Sequence, residues 1–267
     1  MSTGAPTAVV APVDPFASFR LDDRVCIVTG ASSGLGDRFS RTLHAAGATV
    51  VAAARRADRL DALAEELGDR VVPMAGDVTD PASNAALVEA TVERFGRIDV
   101  LVNNAGYGKA MPAEDEPLEH FRFTLDVNLV GLFDLTQQVA RHMLVARSGS
   151  IVNVASIFGL VGSTPIKESS YCAAKGAVVN LTRELGAQWA RKGIRVNAIA
   201  PGWFPTEMTQ EEMFDDETGL AFIESHCPMG RAGELAELDG ALLLLAGSAG
   251  SYMTGQIISV DGGWTIR

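Results

Sequence analysis

Short runs of β-branched residues alternate with longer stretches of helical periodicity from residue 24 onward. The strand-like runs are 25–29, 49–54, 71–75, 99–102, 150–155, 195–200 and 256–260. These runs lack the apolar/polar alternation of half-exposed strands, which indicates that helices cover both of their faces. Helical periodicity spans 34–46 and 58–67 and is centred on Ala86, Asn128, Val179 and Leu243 in the later connections. This order predicts a single α/β domain, a doubly wound (Rossmann-type) parallel sheet with helices on both faces.

Two segments fall outside this alternation. Residues 1–20 are rich in Ala, Pro, Thr and Val but lack a cationic start, so we predict a flexible N-terminal arm rather than a signal peptide. Residues 203–230 contain no strand-like run, and aromatic and Met side chains stand there among acidic ones. Long connections in compact domains are usually lids, binding loops or disordered pieces. Because the aromatic content argues against disorder, we predict a lid inserted near the C-terminus of a domain spanning 21–267.

Charge and cysteine content exclude several classes of partner. The chain has 33 acidic and 22 basic residues, a net charge of −11, which repels nucleic acid and anionic membrane surfaces. No run approaches the roughly 18 apolar residues of a membrane-spanning helix. The three cysteines, Cys26, Cys172 and Cys227, are too few and too scattered for a disulfide framework or a zinc site. We therefore expect no metal, a small-molecule substrate and a cytoplasmic location.

A glycine-rich turn joins the first predicted strand to the first predicted helix. Gly30, Gly34 and Gly36 have the spacing G-x-x-x-G-x-G. Glycine permits a tight turn and a close ligand approach, and the helix N-terminus offers free N–H groups to a pyrophosphate. The turn therefore predicts nucleotide binding. It also matches the G-x-S-x-G nucleophile elbow of α/β-hydrolases, with Ser32 as the nucleophile. His226 in the predicted lid would then have to be the histidine of the catalytic triad.

Further motifs follow the turn in a fixed order. They are Asp77 after the third strand, Asn-Asn-Ala-Gly at 103–106 after the fourth, the set Asn128, Ser156, Tyr171 and Lys175, and Pro201-Gly202 with Thr206. With these motifs the chain resembles the short-chain dehydrogenase/reductase family from about residue 21 to residue 263. Its overall pattern is similar to that of the 3-oxoacyl-carrier-protein reductases. The resemblance implies an NAD(P)-binding fold and hydride transfer between nicotinamide and an alcohol or carbonyl, with Tyr171 as general acid/base.

The resemblance implies the catalytic set Asn128, Ser156, Tyr171 and Lys175. Tyr171 and Lys175 are four residues apart on a predicted helix, so their side chains share a face. The pKa of a tyrosine is ordinarily about 10, and we expect the neighbouring ammonium of Lys175 to lower the pKa of Tyr171 towards ambient pH. By analogy with the family, Lys175 also holds the nicotinamide ribose, and Ser156 donates a hydrogen bond to the substrate oxygen. Asn128 would bind a water that connects Lys175 to solvent.

The residues after the second strand bear on the choice of cofactor. Ala54 stands where NAD-dependent enzymes carry a carboxylate for the adenosine ribose, and Arg55 and Arg56 follow it. Arginine suits a 2′-phosphate, so NADP(H) is favoured and NAD(H) stays possible. Against this, Ser33 stands where many NADP-using relatives carry Lys or Arg. The cofactor-binding residues implied by the resemblance are Gly30, Ser32, Ser33, Gly34, Leu35, Gly36, Arg55, Asp77, Val78, Asn104, Ala105, Gly106, Tyr171, Lys175, Pro201, Gly202, Phe204 and Thr206.

Apolar residues near the predicted strand ends and in the lid bear on the substrate. They are Tyr107, Met111, Phe158, Trp203, Phe204, Met208, Met213 and Phe214. Ligands of open α/β sheets lie beyond the carboxyl ends of the strands, so these residues favour a secondary alcohol or ketone with an apolar body.

A 3-oxoacyl-carrier-protein (or acyl thioester) reductase is the alternative enzyme. The acidic stretch 211–217 would repel an acidic carrier, whereas Arg141, Arg147, Arg191 and Lys192 could form a docking patch elsewhere. Relatives pair the helices around Asn128 and Val179 between subunits. The resemblance therefore implies a homotetramer.

Overall fold

A computed structural model describes residues 14–215 and 217–266. Residues 1–13 of the predicted arm lie outside the described residues. In the rest of the arm, Ala17–Phe19 form a short 3-10 helix. The hydroxyl of Ser248 donates a hydrogen bond to the carbonyl oxygen of Ser18, which ties this helix to the C-terminal part of the domain.

Seven parallel strands form one sheet within the described residues. They are β1 Val25–Thr29, β2 Thr49–Ala54, β3 Val71–Ala75, β4 Val100–Asn103, β5 Gly149–Val154, β6 Ile194–Pro201 and β7 Ile257–Val260. Their order across the sheet is β3-β2-β1-β4-β5-β6-β7, so the direction of winding reverses between β1 and β4. A ligand crevice is expected beyond the carboxyl ends of the strands at such a reversal.

Helices cover both faces of the sheet, as the sequence predicts. They are α1 Gly34–Ala45, α2 Ala57–Leu67, α3 Pro81–Phe95, α4 Leu118–Leu125, α5 Gly131–Ala146, α6 Ser169–Trp189, α7 Glu207–Thr209, α8 Glu217–His226 and α9 Asp239–Ala246. None of the helices in the described part of the chain combines the length and the apolar character needed to cross a membrane. The doubly wound α/β fold is thus confirmed.

Successive residues of β1 enter two different apolar cores. Cys26 and Val28 pack in the core that contains Phe39 of α1, whereas Val25 and Ile27 pack in the core that lies under α3, α5 and α6. Because side chains of a strand alternate between the two faces of a sheet, both sets must be apolar when helices cover both faces. This is why the strands read as uninterrupted apolar runs in the sequence.

A chain of buried polar side chains crosses the second core. The amide nitrogen of Asn103 on β4 donates to Thr136 Oγ1 at 2.8 Å and to Asn153 Oδ1 at 2.9 Å. The amide nitrogen of Asn153 on β5 donates in turn to Thr182 Oγ1 at 2.9 Å. Buried polar groups are tolerated when they are paired in this way. The chain of bonds fastens α5 and α6 to neighbouring strands.

Residues 203–230 contain helices rather than strands among their described residues. Glu207–Thr209 form α7, Gln210–Phe214 form a π-helical turn, and Glu217–His226 form α8. Ile223 of α8 is fully buried, so this segment has an apolar core contact of its own. Its role as a lid stays a prediction.

Candidate active site

A cavity of about 670 Å³ opens beyond the carboxyl ends of the strands, between the glycine-rich turn and α6. Its wall contains the predicted cofactor-binding residues except Gly36, together with Ser156 of the predicted catalytic set. Gly36 and Asn128 lie behind this wall. The parallel sheet thus brings into one cavity residues that are scattered from position 30 to position 206 of the chain.

The glycine-rich turn is shaped by close packing. Gly30 and Gly34 have φ values of +66° and +54°, a region that favours glycine. A Cβ at Gly36 would lie 2.2 Å from the carbonyl oxygen of Gly30, so Gly36 lets α1 pack against the turn. Ser33, the N-cap of α1, makes no side-chain capping bond. The first N–H groups of α1 are therefore suited to bind the oxygens of a pyrophosphate.

Asn104 braces the turn rather than pointing a free amide into the cavity. Its side-chain nitrogen donates to the carbonyl oxygen of Thr29 at 2.9 Å. Thr29 Oγ1 accepts from the backbone N–H groups of Asn104 and Ala105, each at 3.0 Å. These bonds join the ends of β1 and β4, the two strands between which the winding reverses.

Asp77 makes an Asx turn at the end of β3. Its Oδ1 accepts from the backbone N–H of Thr79 at 2.9 Å and from the Thr79 hydroxyl at 2.8 Å. These bonds, against the opposing effect of burial, lower the pKa of Asp77. Asp77 therefore lines the cavity as an ionised carboxylate with one oxygen engaged.

Ser156, Tyr171 and Lys175 meet at the carboxyl end of β5. Tyr171 and Lys175 lie one turn apart on α6, with Lys175 Nζ 5.4 Å from the centre of the Tyr171 ring. The hydroxyls of Tyr171 and Ser156 are hydrogen-bonded to each other. Lys175 is 3% exposed, and its Nζ donates to the carbonyl oxygen of Val154 at 2.8 Å. The end of one strand therefore fixes both Ser156 and the face of α6 that carries Tyr171 and Lys175.

Burial dominates the electrostatics of this group. Burial raises the pKa of Tyr171, the negative charge of Glu168 raises it further, and the hydrogen bond with Ser156 opposes both effects. Burial also lowers the pKa of Lys175 to about 8. The expectation that the ammonium lowers the pKa of Tyr171 is thus wrong in direction, because a buried phenolate loses hydration that Lys175, bonded to Val154, does not replace. At neutral pH Tyr171 is a protonated acid.

Asn128 lies in a π-helical turn, Asp126–Val130, between α4 and α5. Its amide nitrogen donates to the carbonyl oxygens of Tyr107, at 2.7 Å, and Thr124, at 2.9 Å, and its Oδ1 accepts from Tyr107 N–H at 3.3 Å. A Cβ at Gly106 would lie 3.1 Å from Asn128 Oδ1 and 3.7 Å from Lys175 Nζ. Asn128 therefore holds the segment that passes over Lys175, and its role in binding a water stays a prediction.

A buried pair next to Tyr107 was missed by sequence reasoning. The Tyr107 hydroxyl lies 3.4 Å from His120 Nε2, and His120 Nδ1 lies 2.8 Å from Glu116 Oε1. Burial raises the pKa of Glu116, but hydrogen bonds from Ser170 and His120 outweigh burial and lower its pKa overall. The spacing of four residues between Glu116 and His120 was a signal for such a pair. The pair supports Tyr107 from outside the cavity.

A cluster of opposite charges at the end of the cavity beside the glycine-rich turn was also missed. Arg56 Nε donates to Ser32 Oγ at 3.2 Å, and its Nη2 donates to Ser33 Oγ at 2.7 Å. Arg56 Nη1 lies 2.8 Å from Glu207 Oε2, and Arg59 Nη1 lies 2.5 Å from Glu207 Oε1. Arg59 and Glu207 are 148 positions apart, so no local pattern indicates the contact.

The apolar residues predicted near the substrate divide into two groups. Tyr107, Phe204 and Met208 line the cavity. Phe158, Trp203 and Met213 are instead buried in a separate apolar cluster, against which Phe214 packs. Met111 pairs with residue 168 in an isolated bridge. Phe123 and Val127, which sequence reasoning did not name, complete the apolar wall beside Tyr107.

The geometry does not support the hydrolase alternative. Ser32 Oγ accepts a hydrogen bond from Arg56, and among the described residues it donates none to a histidine. The His226 ring packs on Phe222 with 4.2 Å between ring centres, and its Nδ1 bonds within α8 to Ser225 and to the carbonyl oxygen of Phe222. A nucleophile elbow needs the serine and the histidine in contact.

Comparison with known proteins gives matches over nearly the whole chain. A family model described as Enoyl-(Acyl carrier protein) reductase matches residues 30–265. The chain is 42% identical over 250 residues to the galactitol 2-dehydrogenase (L-tagatose-forming) of Cereibacter sphaeroides, covering 93% of this chain and 97% of that protein. It is 39% identical over 250 residues to the 3-oxoacyl-[acyl-carrier-protein] reductase of Thermotoga maritima, covering 92% and 100%.

A solved structure agrees with these matches. The gluconate 5-dehydrogenase of Burkholderia cenocepacia, crystallised in complex with NADP and tartrate, superimposes with a TM-score of 0.89 at 36% identity. The match covers 94% of this chain and 98% of that one. The two relatives and this neighbour are all dehydrogenases or reductases.

Proposed function

The chain belongs to the short-chain dehydrogenase/reductase family, whose members oxidise alcohols or reduce ketones, and we propose that Tyr171 is its general acid/base and NADP(H) its hydride carrier. The observation that carries this proposal is that Ser156, Tyr171 and Lys175 line the same cavity as the glycine-rich turn. A dinucleotide in this cavity would place its nicotinamide end at the first group and its pyrophosphate at the turn.

The cavity offers groups for each part of a dinucleotide. The free N–H groups at the start of α1 suit the pyrophosphate, and Asp77 and Val78 lie on the wall proposed for adenine. Lys175 would bind the nicotinamide ribose, and Phe204 and Thr206 would face the carboxamide. A bound nicotinamide would supply or accept the hydride.

The chain's own residues manage the substrate oxygen and its proton. Ser156 and Tyr171, hydrogen-bonded to each other, would both bind the substrate oxygen. In the reductive direction Tyr171 donates its proton to that oxygen while the carbonyl carbon gains the hydride, and in the oxidative direction the phenolate takes the proton back. Lys175, with a pKa of about 8, is cationic at neutral pH, and its charge would offset part of the cost of the buried phenolate that forms during reduction.

Tyr171→Phe tests this assignment. The substitution keeps the ring and removes the proton donor, so we expect turnover to fall by about 10²- to 10⁴-fold, the usual contribution of general acid/base catalysis. Titration of NADPH fluorescence should give an unchanged dissociation constant. Tyr252→Phe, at a fully exposed tyrosine away from the cavity, serves as the control and should keep full turnover. Wild-type turnover in Tyr171→Phe would refute the assignment.

The proposal of NADP(H) rests on the end of β2. Ala54 replaces a carboxylate, and the adjacent Arg55 is exposed and makes no salt bridge with the residues that the structure describes. A 2′-phosphate would bind this guanidinium without displacing a partner. The NADP complex of the Burkholderia cenocepacia neighbour supports the same cofactor, and NAD(H) is the alternative. Arg55→Ala should lower kcat/KM for NADPH selectively, and an equal loss with NADH would contradict this role.

We propose a secondary alcohol or ketone with an apolar body as the substrate. The cavity that contains Tyr171 is also lined by the apolar side chains of Tyr107, Phe123, Phe204 and Met208, which supports this choice. Initial rates with cyclic ketones, linear polyols and sugar acids, compared at one NADP(H) concentration, distinguish this class from the polyol and sugar-acid substrates named for the relatives. Higher kcat/KM for the polyols would overturn the apolar assignment.

The carrier-protein alternative is supported by the identity to the Thermotoga maritima reductase. Its suggested docking patch is poorly placed, because Arg147 lies two residues before β5, and Arg191 and Lys192 precede β6. The starts of parallel strands lie at the opposite edge of the sheet from the ends that carry Ser156. Activity with acetoacetyl thioesters that exceeds activity with simple ketones would favour the alternative.

Three further proposals concern the whole protein. A homotetramer is supported by exposed apolar side chains on and beside α5, of which Val130 is 54% and Phe133 40% exposed. A lid role for 203–230 is supported by residues 206–209, which line the cavity. A reducing, cytoplasmic environment is supported by the three cysteines, which are all free thiols.

A further inference from the structure

Arg56, beside the glycine-rich turn, is already paired with the carboxylate of Glu207. All three nitrogens of the Arg56 guanidinium have partners: Ser32 on Nε, Ser33 on Nη2 and Glu207 on Nη1. We infer that Glu207 competes with the 2′-phosphate of NADP(H) for Arg56 and thereby limits how strongly the protein prefers NADP(H) to NAD(H). This inference rests on the proposed function, since it presupposes a dinucleotide in the cavity.

The charges around Arg56 favour competition between Glu207 and a 2′-phosphate. Arg56 and Glu207 both line the cavity, next to Arg55. Burial raises the pKa of Glu207, but hydrogen bonds from Arg56, Arg59 and Ser33 outweigh burial and lower its pKa, so Glu207 is ionised at neutral pH. A phosphate dianion bound to Arg55 would therefore lie near the Glu207 carboxylate, with the Arg56 guanidinium beside both. Like charges so placed repel each other.

The geometry of the guanidinium places a bound phosphate next to Glu207. A phosphate binds an arginine best through two parallel N–H···O bonds. Arg56 has five N–H groups, of which Ser32, Ser33 and Glu207 engage three, so a phosphate that uses the remaining two, one on each Nη, must bind beside the Glu207 carboxylate. Glu207 is the partner whose loss also removes repulsion. Arg59 can keep the displaced carboxylate, because it already binds the other Glu207 oxygen.

The size of the effect follows from exposure. The side chains of Arg56 and Glu207 are 41% and 49% exposed, so their ion pair is only moderately strong. Removing it should change the dissociation constant of a 2′-phosphorylated nucleotide by about two- to fivefold. NADH has no 2′-phosphate and therefore places no charged group at Arg56. Its dissociation constant should stay the same.

Glu207→Gln tests the inference by binding alone. Dissociation constants for NADPH and NADH are measured by fluorescence titration, and that for adenosine 2′,5′-bisphosphate by calorimetry, so the result does not depend on turnover. We expect Glu207→Gln to bind NADPH and the bisphosphate about two- to fivefold more tightly than wild type, with NADH unchanged. Thermal unfolding of each variant verifies that it is folded.

Glu66→Gln is the matched control. Glu66 pairs with Arg41 at 2.5 Å, is 59% exposed and does not line the cavity. The substitution makes the same change in net charge, so it should leave the ratio of the NADPH and NADH constants at the wild-type value. A gain in Glu66→Gln equal to that in Glu207→Gln would mean that net charge alone is responsible, which would overturn the inference.

A double-mutant cycle identifies Arg56 as the shared group. Arg56→Gln should weaken NADPH binding relative to NADH, and adding Glu207→Gln to it should give a smaller gain than Glu207→Gln gives in the wild-type background. An unchanged or lower NADPH preference in Glu207→Gln alone would overturn the inference and indicate that Glu207 orients Arg56 for the phosphate. If the wild-type protein binds neither dinucleotide, the proposed function fails together with the inference. If it binds both and the preference is insensitive to Glu207, only the inference fails.

Discussion

Replacing Lys175 by Met is expected to stabilise the protein while it removes the ammonium from the cavity. Lys175 is 3% exposed, and burial lowers its pKa from 10.5 to about 8, which corresponds to roughly 3 kcal/mol against the charged form. Met has a similar shape and no charge. It leaves the carbonyl oxygen of Val154 without its donor, at a cost of about 1–3 kcal/mol. The expected net gain in unfolding free energy at neutral pH is therefore about 1 kcal/mol.

The effect of Lys175 on the free energy of unfolding depends on pH. Because the folded state binds the Lys175 proton less tightly than the unfolded chain, unfolding takes up a proton between pH values of about 8 and 10.5. The destabilisation by Lys175 is therefore fully present below about pH 8 and is relieved as the pH rises towards 10.5. Lys175→Met lacks this relief. Its advantage over wild type should be largest near neutral pH and should shrink in alkaline buffer.

Urea unfolding followed by tryptophan fluorescence measures both effects. Wild type, Lys175→Met and the control Lys192→Met, at an exposed lysine outside the cavity, are compared at about pH 7 and about pH 9.5. The control should give the same difference from wild type at both pH values. The reasoning would be refuted if Lys175→Met were clearly less stable than wild type near pH 7, or if its difference from wild type were independent of pH.

Three further predictions address the turn, the buried pair and the assembly. Gly36→Ala should lower the thermal unfolding temperature markedly, since its Cβ would lie 2.2 Å from the Gly30 carbonyl oxygen, whereas Gly240→Ala, with nothing within 4 Å, should raise stability by up to about 1 kcal/mol. Glu116→Gln should cost about 1–3 kcal/mol in urea unfolding at neutral pH. Because the folded-state pKa of Glu116 is lowered, the contribution is present above the carboxyl's ordinary pKa and is lost as the pH falls through the folded value, so a deficit that persists in acid would contradict this account. Phe133→Glu on α5 should dissociate the proposed tetramer in sedimentation equilibrium, and an unchanged mass would place the interface elsewhere.

The sheet could be predicted from sequence because burial on both faces leaves a simple pattern. β1 and β2 coincide with the predicted runs 25–29 and 49–54, whose residues are almost entirely buried. Helix boundaries were harder to predict from the sequence. The periodicity around Asn128 predicts one helix, whereas the chain forms α4, a π-helical turn and α5. The wider turn depends on the tertiary bonds of Asn128 with Tyr107, which no local pattern contains.

The candidate site was predictable where motifs have fixed spacing and not where contacts are distant or depend on burial. Motif positions gave part of the cavity wall, from the glycine-rich turn to Thr206. The contact between Arg56 and Glu207 joins remote segments, so it was not foreseen. The pKa of Tyr171 was predicted in the wrong direction because the spacing to Lys175 gives proximity but not desolvation.

The buried amide–hydroxyl chain of Asn103, Asn153 and Thr182 has a consequence for tolerance to mutation. Thr182 lies on α6 seven residues beyond Lys175, so the same helix carries this hydrogen-bonded anchor and the cavity residues Tyr171 and Lys175. Apolar packing is non-directional and would permit α6 to slide slightly when neighbouring side chains change size. A slide would break directional bonds and leave buried amides without partners. Substitutions that remodel the pocket wall can thus alter which molecules fit while the alignment of Tyr171 is preserved.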